Sequence, residues 1–186
     1  MKYIKFIVCA VAALAMCGCG LVSGTLFVSQ DIEGSFRSSS PSQIGEDHNP
    51  GTLDSFGSVR VYLKDNEDWK KIDIEGLEDI CVRVTVTNYR SEPMSGEIWV
   101  TTGDTQYQSI AEVQEHGFRV FSGLALLANG QRTFTCAETI EDFENLDRLT
   151  DAVREGVFRV WGRGDQATYD IGYDAIYLGM HVTGSL

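Results

Sequence analysis

The run ICVRVTVTN at residues 80–88 constrains the fold most, because Ile80, Val82, Val84 and Val86 occupy every second position. A period of two puts all four on one face of a β-strand, whereas a helix would scatter them around its axis. After a turn containing Glu92-Pro93, GEIWVT at residues 96–101 answers it as a return strand, which Gly103-Asp104 ends. The alternation recurs from Ser58 to Leu63, where Val59, Val61 and Leu63 oppose Arg60 and Tyr62. It recurs again from Val157 to Arg163, and from about Tyr173 to Thr183 with Ile176, Leu178, Met180 and Val182 inward. Leu21 to Ser29 is rich in strand formers. Phe118–Leu127 and Arg132–Ala137 are expected to pair as a hairpin through Asn129-Gly130. Strands with one apolar face must bury it against a second layer. Roughly eight of them at short spacing predict a mainly β fold, an antiparallel β-sandwich.

The intervening stretches are less regular. Asp31 to Gly51 is polar, with Ser38-Ser39-Ser40-Pro41 and His48-Asn49-Pro50-Gly51, and is expected as a long loop. Asp65 to Lys71 has the pattern of one or two helical turns with Asp65 as N-cap. Its acidic cluster lacks the spacing of an EF-hand calcium loop. Thr105 to His116 fits helix and loop equally. One amphipathic helix is expected late in the chain, where Phe143, Leu146, Leu149 and Val153 form a stripe. Thr139 is expected to cap it, Glu144 and Arg148 to pair along it, and Gly156 to end it. It is too short and too acidic to span a membrane and is expected to pack on the sheet.

The first residues form a separate unit. Lys2 and Lys5 precede and interrupt an apolar run ending in Met16-Cys17-Gly18-Cys19-Gly20. The run is shorter than the ~20 residues that a bilayer crossing needs, so it reads as a secretory signal peptide. Its end resembles the lipobox of bacterial lipoproteins, in which cleavage precedes an acylated cysteine. Gly18 supplies the small residue before Cys19, which makes Cys19 the expected lipidation site and Cys17 the runner-up. On this reading residues 1–18 are the signal peptide, 19–23 a short lipid tether, and 24–186 a single β-sandwich domain with the loop at 31–51. Several acyl chains such as palmitate, at ~0.8 kcal/mol per buried methylene, anchor a protein in effect permanently. Gly20 is not the aspartate associated with inner-membrane retention, so a host with two membranes is expected to sort the protein to the outer one.

Cleavage before Cys19 leaves about 168 residues, enough for a core without metal or disulfide staples. Loss of Lys2 and Lys5 takes the formal net charge from −12 to −14, which argues against nucleic acid and against docking on anionic lipid. Two body cysteines, Cys81 and Cys136, leave two readings open. One is a disulfide closing a loop of about 56 residues, worth ~4 kcal/mol in a loop-entropy model. The other is two separately buried thiols, since Cys81 alternates against the aliphatic residues and should face away from their core.

No motif for chemistry emerges, catalytic, cofactor-binding or metal-binding. Ser122 lacks the glycine of a nucleophile elbow, His48, His116 and His181 have no metal-ligand spacing, and the glycines form no phosphate loop. One pattern stands out. On three strands the face opposite the aliphatic one carries aromatics: Trp99 beside Glu97 and Thr101, Trp161 beside Arg159 and Arg163, and Tyr177 beside His181. If those strands share a sheet, Trp99, Trp161 and Tyr177 make a candidate binding face for a sugar or peptide. If the late helix covers them, they form a second core.

The helical turn before ICVRVTVTN, the GEIWVT return, the late helix and the final alternating strand resemble a group of uncharacterised bacterial lipoproteins. The resemblance spans most of residues 55–184 and implies an immunoglobulin-like or late-embryogenesis-abundant-like sandwich in the cell envelope. It carries over no catalytic residue. The function expected is therefore a non-catalytic, membrane-anchored binding or scaffolding domain, with a periplasmic protein or a glycan as ligand. A cell-wall-directed hydrolase and a purely structural or stress-protective domain are the alternatives.

Overall fold

The computed structural model describes residues 23–32, 34–40 and 57–185. The expected signal peptide, Cys17, Cys19, residues 41–51 of the expected loop and His48 lie outside the described residues. Among these, nine strands form two antiparallel sheets stacked as a sandwich. The larger sheet holds β1 (Ser23–Ile32), β2 (Phe36–Ser40), β4 (Asp73–Asn88), β7 (Gln131–Phe134) and β9 (Tyr169–Ser185). The smaller has the order β3-β8-β5-β6, from Ser58–Tyr62, Val157–Gly164, Met94–Thr102 and Phe118–Leu126.

β9 is the spine of the larger sheet. Its C-terminal end pairs Ser185 with Ser23 of β1, and its N-terminal end pairs Tyr169 with Ser40 of β2. Thus β1 and β2 run end to end along one side of it, while β4 covers the other from Asp73 to Asn88. Ordered strand therefore occupies 31–32 and 36–40, part of the stretch expected as a loop. The reason is that Ile32 and Phe36 drop into the core at 6% and 3% exposure. The 65–71 turn is two short 3-10 segments, Leu63–Asp65 and Trp69–Lys71. The side-chain bonds that lead into the second come from Asn66 and not from the expected Asp65, Asn66 Oδ1 accepting from the Asp68 and Trp69 N–H groups.

The core lies between the sheets, and the alternating residues face it as their period requires: Val82, Val84 and Val86 against Ile98, Val100, Val120 and Phe158. One aromatic bridges the layers. Tyr173 of β9 stacks on Phe36 with ring centroids 4.9 Å apart, and its hydroxyl reaches the carbonyls of Glu97 and Arg163 in the opposite sheet at 3.0 and 3.1 Å. Its ring fills the space where a side chain at Gly162 would stand. Complete burial pushes the phenol well above its ordinary range, so it stays neutral and donates.

Three further expectations change. Phe118–Leu126 and Gln131–Phe134 do not pair with each other: β6 pairs with β5 and β7 with β4, so Asn129-Gly130 carries the chain from one sheet to the other. Asn129 does adopt the left-handed conformation, φ 48°, that such turns favour. Next, the late helical region is two helices, α2 (Cys136–Thr139) and α3 (Leu146–Glu155), after α1 (Ile110–His116). Thr139 ends α2 instead of capping α3. Its hydroxyl donates to the Val82 carbonyl and accepts from the Val82 N–H, continuing the edge of β4 where β7 has stopped. Finally, Glu144 pairs with Arg119 and not Arg148, whose guanidinium lies over the Phe118 ring. α3 buries Leu149, Ala152 and Val153 in the main core, and Gly156 closes it at φ 73°.

Cys81 and Cys136 are joined by a disulfide, which ties α2 to the outer face of β4. Cys81 does turn away from the aliphatic core, and α2 comes over that outer face to meet it.

Candidate functional site

The three aromatics proposed as one binding face are not assembled. Trp99 and Trp161 stand opposite each other on β5 and β8, but Tyr177 lies on β9 in the other sheet, beneath the Arg83 guanidinium. Trp161 is buried, 1% exposed, with its Nε1 donating to Thr101 Oγ1 at 2.8 Å. Tyr107 leans on its ring and is itself stacked on His116. The covering element is the 105–116 stretch, which the sequence leaves open between helix and loop. The capping box of Ser109 and Glu112 fixes α1 there, with Val113 buried. The late helix covers none of these rings: of the expected stripe Leu149 and Val153 enter the inter-sheet core, Phe143 packs on it from before the helix begins, and Leu146 at the first turn is exposed. Trp99 remains half-buried, its Nε1 donating to Glu97 Oε2.

The Glu144 carboxylate of this outer face is held as an anion by its partners. Arg119 lies 3.3 Å from Glu97 and 3.0 Å from Glu144, and Ser122 also donates to Glu144. Hydrogen bonding from Arg119 lowers the Glu144 pKa below its ordinary value, and the same bond raises that of Arg119. A hydrolase acid needs a carboxyl held protonated by an apolar setting, and Glu144 is held the opposite way. His181 faces Asp79 at 3.2 Å. Among the described residues no three His, Cys, Asp or Glu side chains converge as metal ligands do.

A concave site does exist, and it lies elsewhere. A cleft of about 690 Å³ opens at the end of the sandwich where β9 begins. Its walls include Met94, Leu126, Leu127, Gln131, Arg132 and Asp165. The buried Asn88 builds it by tying two turns together. Its Nδ2 donates to the carbonyls of Glu92 and Leu127 at 2.8 and 2.9 Å, and its Oδ1 accepts from the Arg90 N–H. Its own N–H donates to the Gly130 carbonyl. Across the mouth, Asp165 Oδ1 accepts from the Ser95 N–H while the Asp165 N–H donates to the Ser95 carbonyl. Both charged side chains of the wall are engaged, Arg132 with Glu138 and Asp165 with Ser95. Leu127 stands 78% exposed at the rim.

The cleft follows from the crossing of the chain between sheets, which leaves β6 and β7 as neighbouring edges. A hairpin reading of Asn129-Gly130 hides it. The signal available in the sequence is Asn88, a polar residue at the end of an apolar alternation. Comparison with protein-family models and with characterised proteins finds no match to this chain.

Proposed function

We propose that the protein is a membrane-anchored envelope lipoprotein whose β-sandwich binds or scaffolds a partner without catalysis. The observation that carries this reading is the placement of two ends. β1 begins at Ser23, four positions after Cys19, beside the last residues of β9. The cleft lies at the other end of β9, up to about 50 Å away along a strand rising ~3.3 Å per residue. A domain tethered through Cys19 therefore turns its cleft away from the bilayer and toward whatever the compartment contains. The acidic surface keeps the domain itself off anionic lipid. No helix among the described residues is long and apolar enough to cross a membrane, so the proposed attachment rests on the lipid.

Two measurements test this. Cys19→Ala should move the protein out of the membrane fraction and abolish labelling with a fatty-acid analogue, and continued labelling would transfer the site to Cys17. A photo-crosslinking residue at Gln131 should form adducts in intact envelopes, and one at Asp73 should not. Equal yields at both positions would overturn the cleft as the binding site.

A further inference from the structure

We infer that the cleft binds an extended, uncharged polypeptide segment, which adds as a strand to the open edge of β7. The inference rests on the reading of this cleft as the binding site. It starts from which backbone groups are already used. The Asn88 N–H donates to the Gly130 carbonyl at 2.8 Å, one residue beyond the Thr87–Gln131 pair, so on β4 the positions in step with Asn88, Val86 and Val84, form the hydrogen-bonded pairs of the antiparallel β4–β7 ladder. Such pairs alternate with pairs that share no bond, whose N–H and C=O groups point away from the partner strand. Gln131 opposite Thr87, and Thr133 opposite Thr85, are pairs of the second kind. Their backbone groups therefore leave the larger sheet at its edge, where no further strand follows among the described residues.

The facing wall obeys the same logic. Both backbone groups of Ser95 are spent on Asp165, on the β8 side of β5. Ser95 and its cross-strand partner Ala125 thus share no ladder bond, and Ala125 turns its N–H and C=O outward from β6. Gln131 and Ala125 both line the cleft. Two orphan edges consequently border one concavity, and they belong to different sheets.

Natural sheets protect their edges, and this chain protects β6 only in part. The Glu144 N–H donates to the Val120 carbonyl at 2.9 Å, and Asn145 Nδ2 donates to the Arg119 carbonyl at 2.8 Å. The neighbouring edge of β4, past the end of β7 at Phe134, is closed by Thr139 of α2. Among the described residues, what stays open is the stretch at the cleft. Its ligand must supply alternating donors and acceptors at strand spacing, as a polypeptide does, with alternate side chains on Leu127 and the Met94–Leu126 wall. The segment should be uncharged. The net charge of the chain is −12, yet the described residues lining the cleft include one cation and one anion, both already engaged. A charged segment would find no free counter-charge there.

The test uses the full purified chain in detergent micelles and a displayed library of random decapeptides lacking Asp, Glu, Lys and Arg. Selection should enrich binders, and the best of them should slow amide exchange at Gln131, Thr133 and Ala125 at least tenfold. Gln131→Pro and Ala125→Pro each delete an outward N–H and no internal one, a change that edge strands tolerate. Each should weaken binding at least tenfold with the circular dichroism unchanged. Should a proline variant misfold, the wild-type chain decides: N-methylation of alternate peptide amides must abolish binding. Unaltered binding of the methylated peptide, or of both folded proline variants, overturns the inference. So does exchange protection that rises with protein concentration without peptide, since the occupant is then a second copy. If no peptide is enriched while Gln131 still crosslinks in envelopes, the inference fails and the cleft stands. If both fail, the cleft is not the site.

Discussion

Replacing Gly162 by Ala should destabilise the sandwich through Tyr173, and the size of the effect can be worked from the structure. An ideal Cβ at position 162 would sit 2.0 Å from Tyr173 Cε2 and 2.5 Å from Cζ, where ordinary contact begins near 3.4 Å. The ring would have to retreat by about 1.4 Å, the difference between those distances, but Phe36 stacks on it and its hydroxyl is fixed between two carbonyls. Over-packing of this kind costs ~1–3 kcal/mol, and losing a buried hydroxyl's bonds adds ~1–1.5. Relief of glycine's unfolded-state entropy returns up to ~1. A net loss of about 1–4.5 kcal/mol is expected, read as a lower urea midpoint at constant m-value. The decisive comparison is the Tyr173→Ala background, where the ring is gone and Gly162→Ala should be neutral or stabilising. Equal costs of Gly162→Ala in both backgrounds would refute the argument, because contacting residues must couple.

Further outcomes follow from the same reading. Trp161→Ala should cost ~3–5 kcal/mol and Trp99→Ala ~1–2, because only the first is fully enclosed; equal small losses in urea denaturation would mean that α1 does not cover Trp161. Cys81→Ser should lower stability by ~2–5 kcal/mol, and the oxidised wild type should show no titratable thiol at Cys81 or Cys136 after denaturation. The Glu138 carboxyl is lowered from 4.5 to about 2 by the Thr135 N–H, the Thr135 hydroxyl and then Arg132. A depressed carboxylate stabilises the fold above its unfolded pKa and ceases to do so as pH falls through the folded one. Stability should therefore decline from about pH 4.5 toward 2, less steeply in Glu138→Gln. Titration of the Glu138 carboxyl resonance near 4.5 would contradict this.

The layers were legible in the sequence because period two is a local signal. Val82, Val84 and Val86 face the core, as do Ile176, Leu178, Met180 and Val182, since each strand's inward face follows from its own residues. Pairing was not legible at Asn129-Gly130. The residues that favour a left-handed turn do so whether the chain returns to its own sheet or crosses to the other. The bond from Asn88, forty-odd positions earlier, is what commits Gly130 to the larger sheet. The candidate face failed for a related reason. Alternation does turn Trp99 and Trp161 away from the main core, but it is silent about what then covers them. Tyr107 and α1 arrive from a stretch whose periodicity is too short to read. Thr139 shows the same limit: a residue suited to begin a helix instead serves as a substitute strand partner for Val82.

The two ends of the sandwich are consequently built for different work. At the cleft end the layers are locked by contacts that tolerate little change: the Tyr173 strut, the close approach of Tyr169 to Gly164, and the Asn88 bonds that hold both turns. Arg37 grips Asp170 there through two bonds at 2.6 and 2.5 Å, with the Tyr89 ring against its guanidinium. A rigid rim around an open edge binds at lower entropic cost than one that must first be ordered. Among the described residues the edge at the cleft remains unpaired, although Glu144 and Asn145 close β6 farther along and Thr139 closes β4 where β7 ends. Selective closure is hard to explain if the edge is only a hazard, for then the cheapest protection is complete. It is the arrangement expected if the remaining gap is where a partner's strand enters.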